Sequence, residues 1–306
     1  MPRHRIRRSA LSASVTAAVL LAGSAAGGAY LTGRSPDHAP AAAASVSSVP
    51  PAATAPVAAT SEEPVVDLDT ELATAVAPLL TGSGTAAVSV AVLDGGSGTR
   101  AVYGGADTAY DTASIVKVDI LAALLLRAQD EDRELTAAER AHAARMIERS
   151  DNDSATALLT AVGGAAGLDA ANERFGLTAT TAAKAWGLTR TTAADQLTLL
   201  QVVFGTGTEL SEESRTYLRG LMAQVEADQQ WGVSAAGSAW ALKNGWMPRT
   251  ATGLWNINSI GQVTADGRTY LVAVLSGGQR TKETGIALVE AVAKAAVEVV
   301  RTGTSD

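Results

Sequence analysis

The pattern of hydrophobic and polar positions changes period along the chain. Residues 87–93 are typical of a strand, Asp94-Gly-Gly-Ser-Gly98 of a turn, and residues 99–103 of the returning strand. Apolar positions at helical spacing then dominate the middle of the chain. Outside the central stretch at 112–126, the predicted helices cover residues 67–80, 136–149, 154–162, 168–175, 193–204 and 211–225.

Strand-like patterns return near the end of the chain, at residues 239–246, 253–263 and 269–275. Asp266-Gly267 predicts a tight hairpin between the last two strands. An amphipathic helix is predicted over residues 282–301. The fold class is therefore α+β, with an antiparallel sheet built from both ends of the chain, flanking helices and a mostly helical lobe. A groove between two such lobes is a natural ligand site.

One central stretch, residues 112–126, combines a short extended segment, a serine and an apolar helix. Ser114 and Lys117 are three residues apart, which places them on the same face of a helix. A serine hydroxyl becomes a nucleophile when a base takes its proton, and a buried lysine can be that base if its pKa is lowered. The other interpretation is a helix cap followed by a surface lysine.

Two further short motifs follow Ser114-x-x-Lys117 in order. They are Ser150-Asp151-Asn152, in a connection between helices, and Lys243-Asn244-Gly245, in a strand. Each has a simple structural interpretation, since Ser, Asp and Asn cap helices and form turns, and Asn-Gly is typical of hairpins. The coincidence of all three in order favours a functional interpretation.

The three motifs resemble the Ser-x-x-Lys, Ser-Asp-Asn and Lys-Thr-Gly set of class A β-lactamases and penicillin-binding proteins. The segment from Asp151 to Gly164 is similar to the helix that follows the second motif in that family. The strand, strand and helix after Lys243 also match, so the resemblance covers about residues 67–303. It implies the β-lactamase and transpeptidase-like α+β fold.

The resemblance also implies roles for single residues. The catalytic residues are Ser114 as the acylated nucleophile, Lys117 as its base or proton relay, and Ser150 as the relay toward the leaving nitrogen. The substrate-binding residues are Asn152, Lys243, Asn244 and Gly245. The oxyanion hole is formed by the backbone N–H groups of Ser114 and Trp246, a type of site that stabilises the transition state of acyl transfer.

The chain departs from the family at several positions. Asn244 replaces the usual Thr or Ser, and Trp246 is bulky for the wall of a site. Class A β-lactamases place a glutamate on a loop after the second motif to activate the hydrolytic water. At the corresponding distance this chain has Trp186, so we expect slow deacylation. Lys184 is a weak substitute base, and Asp195 lies in a helix beyond the loop.

No arginine clearly matches the one that binds the substrate carboxylate in the family. Arg249 is the nearest candidate after the third motif, although a solvated turn residue beside Pro248 explains it more simply. His142 lies on a charged helix face. The two other histidines precede residue 40, which argues against a histidine triad or a zinc site.

The N-terminal residues 1–34 are typical of an export signal. A basic head, Arg3 to Arg8, precedes an uncharged apolar run, which fits a cleaved signal peptide or a retained membrane anchor. Residues 35–64 are rich in Ala and Pro and predict a disordered linker. A serine β-lactamase-like domain is expected over residues 65–306. We expect this domain to be secreted or anchored on the outer side of the cytoplasmic membrane.

The amino-acid composition limits which binding partners and which chemistry are plausible for this chain. Without the five arginines that precede residue 35, 19 basic residues face 31 acidic ones, which disfavours nucleic acid. The chain has no cysteine, which excludes thiol catalysis and disulfides. We expect no cofactor and no metal, and a monomer.

Two functions stay open. The first is an exported serine hydrolase, acylated on Ser114 by a β-lactam or a related cell-wall amide. That activity is a weak β-lactamase or a penicillin-binding peptidase. The second is a tethered, non-catalytic module that binds a cell-wall peptide on the same fold. An esterase or amidase acting on an unrelated substrate fits the same scaffold, because a fold does not fix the substrate.

Overall fold

The structure is a computed structural model that describes residues 67–82, 84, 86–105 and 108–303. The predicted export signal at 1–34 and linker at 35–64 lie outside the described residues, and the domain boundaries stay predictions. Within the described part of the chain, no helix combines the length and the apolar character needed to cross a membrane.

The helices follow the predicted order. In chain order they are α1 (Leu68–Val76), α2 (Val116–Asp130), α3 (Ala137–Glu148), α4 (Asn152–Ala161), α5 (Gly164–Phe175), α6 (Ala193–Phe204), α7 (Glu212–Met222) and α8 (Lys282–Thr302). Local capping chemistry sets several of their starts. At α3, the Thr136 side chain accepts from the Glu139 backbone N–H, and the Glu139 carboxylate accepts from the Thr136 N–H. This capping box satisfies two N–H groups that the helix leaves free.

The strands form two sheets. In chain order the strands are β1 (Ala87–Asp94), β2 (Arg100–Tyr103), β3 (Tyr110–Asp111), β4 (Arg190–Thr191), β5 (Ala239–Pro248), β6 (Trp255–Ala265) and β7 (Arg268–Gln279). The larger sheet is antiparallel, in the order β2-β1-β7-β6-β5. β3 and β4 form a separate two-stranded pair. β5, which carries the third motif, is therefore an edge strand.

The hairpin between β6 and β7 has the predicted turn. Asp266 and Gly267 both adopt left-handed backbone, with φ of 50° and 77°. This is the conformation that a type I′ turn requires and that Asp-Gly accepts at low cost. From this turn, β6 and β7 pair in a continuous register from Ala265–Arg268 to Ile257–Ser276.

The large sheet has a hydrophobic core on each face. Val90 and Val272 pack with α1 and α8 on one face, whereas Ala91 and Leu275 pack with the helical lobe on the other. This division follows from the alternation of side chains along a strand. The central helix α2 is almost entirely buried in the lobe. The structure confirms the predicted α+β class, since β1 from the start of the domain pairs with β7 from its end.

Candidate active site

Residues 112–115 carry the predicted nucleophile Ser114 and are called the nucleophile segment below. They form a short turn that β6 holds in place. Ser114 occupies a 3-10 turn, Ala113–Ile115, between β3 and α2, and its side chain is half-buried. Ala113 has a φ of 47°, a conformation that costs about 1 kcal/mol for a residue with a Cβ. The Asn258 amide donates to the backbone oxygens of Asp111 and Thr112, at 3.0 Å each. These bonds fix the backbone that presents Ser114.

A buried lysine joins the first two motifs. Lys117, in the first turn of α2, has no exposed surface. Its Nζ donates to the backbone oxygen of Ser150 at 2.6 Å, to the Ser150 Oγ at 3.0 Å and to the Asn152 Oδ1 at 2.8 Å. The structure therefore excludes the alternative of a surface lysine.

The proton affinity of Lys117 suits a base near neutral pH. Burial lowers the pKa of Lys117 to about 7, and the nearby Asp151 carboxylate opposes that shift. A general base works best when its pKa lies close to the working pH. At neutral pH a substantial fraction of Lys117 is a free amine that can accept a proton.

The second motif begins α4 and also faces Lys117. Ser150 has a φ of 57°, which turns the chain between α3 and α4. Asp151 caps α4, because its Oδ1 accepts from the backbone N–H of Ser154 at 2.8 Å. Asn152 is the first helical residue, two residues before the predicted start. The motif therefore performs the capping role expected of its residue types, and it also presents Ser150 and Asn152 to Lys117.

The third motif lies on the edge strand β5. Lys243 has no exposed surface, and burial together with the positive charge of Lys117 holds its pKa well below the usual range. Its Nζ donates to the backbone oxygen of Asn244 at 3.0 Å. The structure thus places a second buried lysine close enough to Lys117 for the two charges to interact.

At Gly245, the backbone of β5 lies very close to the nucleophile segment. A Cβ at this position would lie 2.8 Å from the Ser114 backbone nitrogen and 2.7 Å from the Thr112 oxygen. Only glycine allows this approach without moving backbone. An edge strand leaves alternate N–H groups unpaired by its neighbour. This arrangement is compatible with the predicted oxyanion hole of Ser114 and Trp246, which stays a prediction.

We expect Gly245→Ala to damage the site more than the fold. The added Cβ forces the Ser114 backbone away from β5, at a cost of about 1–3 kcal/mol. The rate of acylation by penicillin should fall at least tenfold, while circular dichroism stays native. Gly220→Ala is the matched control, because a Cβ there meets nothing within 4 Å, and it lies inside α7. An unchanged acylation rate in Gly245→Ala would contradict the close approach.

Asn244 has partners away from the cleft. Its side chain is buried, and its Nδ2 donates to the backbone oxygens of Gln229 at 2.8 Å and Trp231 at 3.0 Å. These bonds hold the segment that follows α7 against β5. A contact between Asn244 and the substrate stays a prediction, and the observed bonds favour a structural role.

A cleft of about 330 Å³ opens beside Ser114. Ser114 and Asn152 provide the polar side chains of its lining, while Ala113, Trp186, Leu188, Trp246 and Met247 provide apolar wall. Lys117, Ser150 and Lys243 do not line this cleft. No aspartate or glutamate among the described residues lines the cleft.

Comparison with known proteins decides the family. The sequence model described as the beta-lactamase enzyme family matches residues 138–300, more than half of the chain. The chain belongs to this β-lactamase family. No curated protein sequence shows significant similarity to it.

Solved structures of β-lactamases and of PBP-A share the fold of this chain. A class A β-lactamase from Bacteroides cellulosilyticus is 16% identical, with a TM-score of 0.67, over 78% of this chain and 99% of that one. A β-lactamase from Xanthomonas campestris is 21% identical, with a TM-score of 0.63, over 77% and 100%. A mutant of PBP-A, solved as an acyl-enzyme complex with penicillin G, is 22% identical, with a TM-score of 0.65, over 76% and 97%.

Trp186 is the residue reached by counting from Ser150 the distance expected for the glutamate of class A β-lactamases, and its side chain lines the cleft. Its ring centroid lies 4.8 Å from the Lys117 Nζ, and its Nε1 donates to the Thr156 Oγ1 at 3.2 Å. The sequence located this tryptophan by counting, but its contact with Lys117 had no sequence signal. Only the structure therefore shows that Trp186 contacts Lys117.

The other candidates from the sequence have partners outside the cleft. Arg249 forms an ion pair with Asp111, and Arg190 also contacts that carboxylate, at 3.3 Å. Asp195 accepts from the backbone N–H of Ala179 at 2.8 Å and so anchors the loop. His142 lies 3.0 Å from the Ser154 Oγ. None of these contacts gives Arg249, Asp195 or His142 a role at Ser114.

A buried carboxyl group lies behind Lys117, on the opposite side of α2. Asp119 is 1% exposed, and neither of its carboxyl oxygens makes a hydrogen bond of regular geometry with the described residues, although the Asn172 side chain lies nearby. Burial raises the pKa of Asp119 to about 8; the Asn172 side chain opposes the shift, whereas the charges of Asp169 and Asp195 add to it. Asp119 is therefore mostly protonated in the native protein at neutral pH.

Asp119→Asn should stabilise the protein increasingly as the pH rises. Because the native pKa exceeds the unfolded value, the native state binds more protons between about pH 4 and pH 8. The contribution of Asp119 to stability therefore decreases over that window. We expect the melting temperature of the variant to exceed that of the wild type by several degrees at pH 8, and by little at pH 4. The exposed Asp153→Asn is the control, and a pH-independent difference would contradict the burial argument.

Proposed function

We propose that the chain is an exported serine hydrolase that is acylated on Ser114 by a β-lactam or a related cell-wall amide. Membership of the β-lactamase family and the fold support hydrolase chemistry at the level of the family. The observation that carries the proposal is the buried Lys117, three residues after Ser114 and hydrogen-bonded to the side chains of Ser150 and Asn152. The basic and apolar N-terminus supports export.

The proposed acylation begins at Ser114, with Lys117 three residues further along the chain. The Lys117 amine takes the proton of the Ser114 hydroxyl while the Oγ attacks the amide carbonyl carbon. The backbone N–H groups of Ser114 and Trp246 stabilise the resulting oxyanion. Ser150, 3.0 Å from the Lys117 Nζ, passes the proton to the leaving nitrogen as the amide bond breaks. Lys243 binds a substrate carboxylate, whose negative charge favours the protonated form of this buried lysine, and Asn152 holds the substrate amide.

Deacylation is the step for which this cleft has no carboxylate. Hydrolysis of an acyl-serine needs a water molecule and a base that takes its proton. The cleft presents apolar wall beside Ser114, and its lining includes no described aspartate or glutamate. We therefore propose that the acyl-enzyme persists. This behaviour is closer to that of a penicillin-binding protein than to that of an efficient β-lactamase.

A tethered, non-catalytic binding module on the same fold is the second candidate. Asn244 favours it, because the side chain that replaces the family's hydroxyl makes its hydrogen bonds to backbone oxygens instead. Such a module would bind a cell-wall peptide reversibly. The two candidates therefore differ in whether a bond to Ser114 forms.

Retention of a fluorescent penicillin under denaturing conditions separates the two candidates. The full-length protein is incubated with the labelled penicillin, and samples are resolved on a denaturing gel. Covalent acylation predicts a fluorescent band that unlabelled penicillin prevents. Saturable binding before denaturation, with no band afterwards, would favour the binding module. The absence of both would indicate a different acyl substrate.

A further inference from the structure

Trp186 is fixed from three sides at the edge of the cleft. It begins a 3-10 turn, Trp186–Leu188, and its Nε1 donates to the Thr156 Oγ1 on α4, at 3.2 Å. Its backbone oxygen accepts from the Thr112 Oγ1 at 3.4 Å, and its ring face lies over the Lys117 Nζ. The ring is thus tied to α4, to the nucleophile segment and to the buried lysine.

The contact with Lys117 favours the charged form of that lysine. The face of an indole ring attracts a cation, and the attraction strengthens where water is excluded. The three oxygens around the Lys117 Nζ match the three N–H donors of an ammonium group. Burial acts in the opposite direction, because it favours the neutral amine. Trp186 therefore limits how readily Lys117 becomes a base.

The same ring limits the room for water beside Ser114. Trp186 and Ser114 both line the cleft. The only N–H of the indole is already bonded to Thr156, so the ring offers a water molecule no free hydrogen-bond donor and no acceptor atom of its own. A water molecule that approached an acyl group on Ser114 from this side would meet apolar surface.

We propose that Trp186 keeps the acyl group on Ser114, by occupying the space from which water would attack and by favouring the charged form of Lys117 over the neutral one. Trp186 is in this sense a positioning residue, and the proposal rests on the acylation of Ser114 proposed above. It predicts that the ring, and not only the absence of a carboxylate, makes deacylation slow.

Removal of the ring should open a route for hydrolysis. A water oxygen attacks the acyl carbonyl carbon while the neutral Lys117 amine takes one of the water protons. The tetrahedral intermediate then collapses, and the bond between the carbonyl carbon and the Ser114 Oγ breaks. The Oγ recovers the proton from Lys117, and a free carboxylic acid leaves. The step needs only water and the acyl-enzyme.

The test compares full-length wild type, Trp186→Ala and Trp186→Phe after acylation by benzylpenicillin. Free penicillin is removed, and the loss of the adduct is followed by intact mass. We expect the half-life of the Trp186→Ala adduct to be at least tenfold shorter than that of the wild type. Trp186→Phe keeps an aromatic face and most of the volume, so its half-life should stay near the wild-type value. The Leu188→Ala variant is the control, because it widens the same wall and keeps the Trp186 ring over the Lys117 Nζ.

A second readout separates the electrostatic role from a merely structural one. The midpoint of the pH dependence of acylation reports the proton affinity of Lys117. In Trp186→Ala it should lie lower by roughly one pH unit, the size expected for loss of a buried cation–π contact. Leu188→Ala should leave the midpoint where it is. Melting curves verify that each variant folds.

The outcomes distinguish this proposal from the proposed function. A wild-type adduct on Ser114, with the same half-life and the same pH midpoint in Trp186→Ala, would overturn the role of Trp186 and leave the acylation intact. No adduct on the wild type would overturn both. If Trp186→Ala does not fold, the Trp186→Leu variant, which keeps an apolar side chain but removes the aromatic face over Lys117 and part of the volume, should still shorten the half-life. An unchanged half-life in that variant would then overturn the proposal.

Discussion

The Ser114→Ala variant is expected to carry no covalent penicillin adduct under conditions that label the wild type completely. The hydroxyl is the only group of this residue that can form the ester, and the methyl group of alanine fits the same turn. The positive φ in this turn belongs to Ala113 and not to Ser114, so alanine at position 114 needs no strained backbone conformation. Intact mass and peptide mapping measure the adduct.

A serine far from the cleft provides the control for this prediction. Ser97 lies exposed in the turn between β1 and β2, and Ser97→Ala should be labelled at the wild-type rate. An adduct that persists on Ser114→Ala at the same stoichiometry would exclude Ser114 as the nucleophile. Reversible binding that survives in Ser114→Ala, with no covalent label on the wild type, would favour the binding module.

Lys117→Met should lower the rate of acylation by about 10²–10⁴-fold, the usual effect of losing a positioned general base. Methionine fills much of the same buried volume without a charge, so the variant should fold, with a melting temperature within a few degrees of the wild type. Stopped-flow labelling with an excess of penicillin measures the rate. The exposed Lys184→Met on the same loop as Trp186 is the control and should keep the wild-type rate.

The rate of acylation should increase with pH as Lys117 loses its proton. Acylation requires the neutral amine, and burial brings the pKa of Lys117 to about 7. The rate should therefore be low at pH 5, rise through a midpoint near pH 7 and level off above pH 8. Lys117→Met should lose this inflection together with the rate. A wild-type rate that falls between pH 6 and pH 8 would contradict the role of a neutral Lys117.

Local sequence signals account for most of the fold. The Thr136 capping box, the Asp266-Gly267 turn and the apolar periodicity of α6 each act over a few residues, and each appears where the sequence predicts it. The short pair of β3 and β4 was not predicted. Its strands are two residues long and far apart in sequence, so they carry no periodic signal and depend on tertiary contacts.

The sequence predicted which residues belong to the site, but it predicted only some of the contacts between them. The order of the motifs predicted that Lys117 and Ser150 belong to one site, and the structure places them in hydrogen-bond contact. The contacts of Trp186 and Asn244 were not predictable, because side-chain direction depends on packing between distant segments. Asn244 occupies the expected position of the third motif, but its side chain donates to the backbone oxygen of Gln229, in the segment that follows α7. The motif alone does not reveal this partner.

Intact mass of the full-length protein, followed over time with benzylpenicillin, tests the central claim most directly. The account predicts one adduct per chain, located on Ser114, that remains after free penicillin is removed. An adduct that clears rapidly while hydrolysed penicillin accumulates would contradict the proposed persistence, because a group in the wild-type cleft would then activate water. No adduct at any time would contradict the acylation of Ser114 itself.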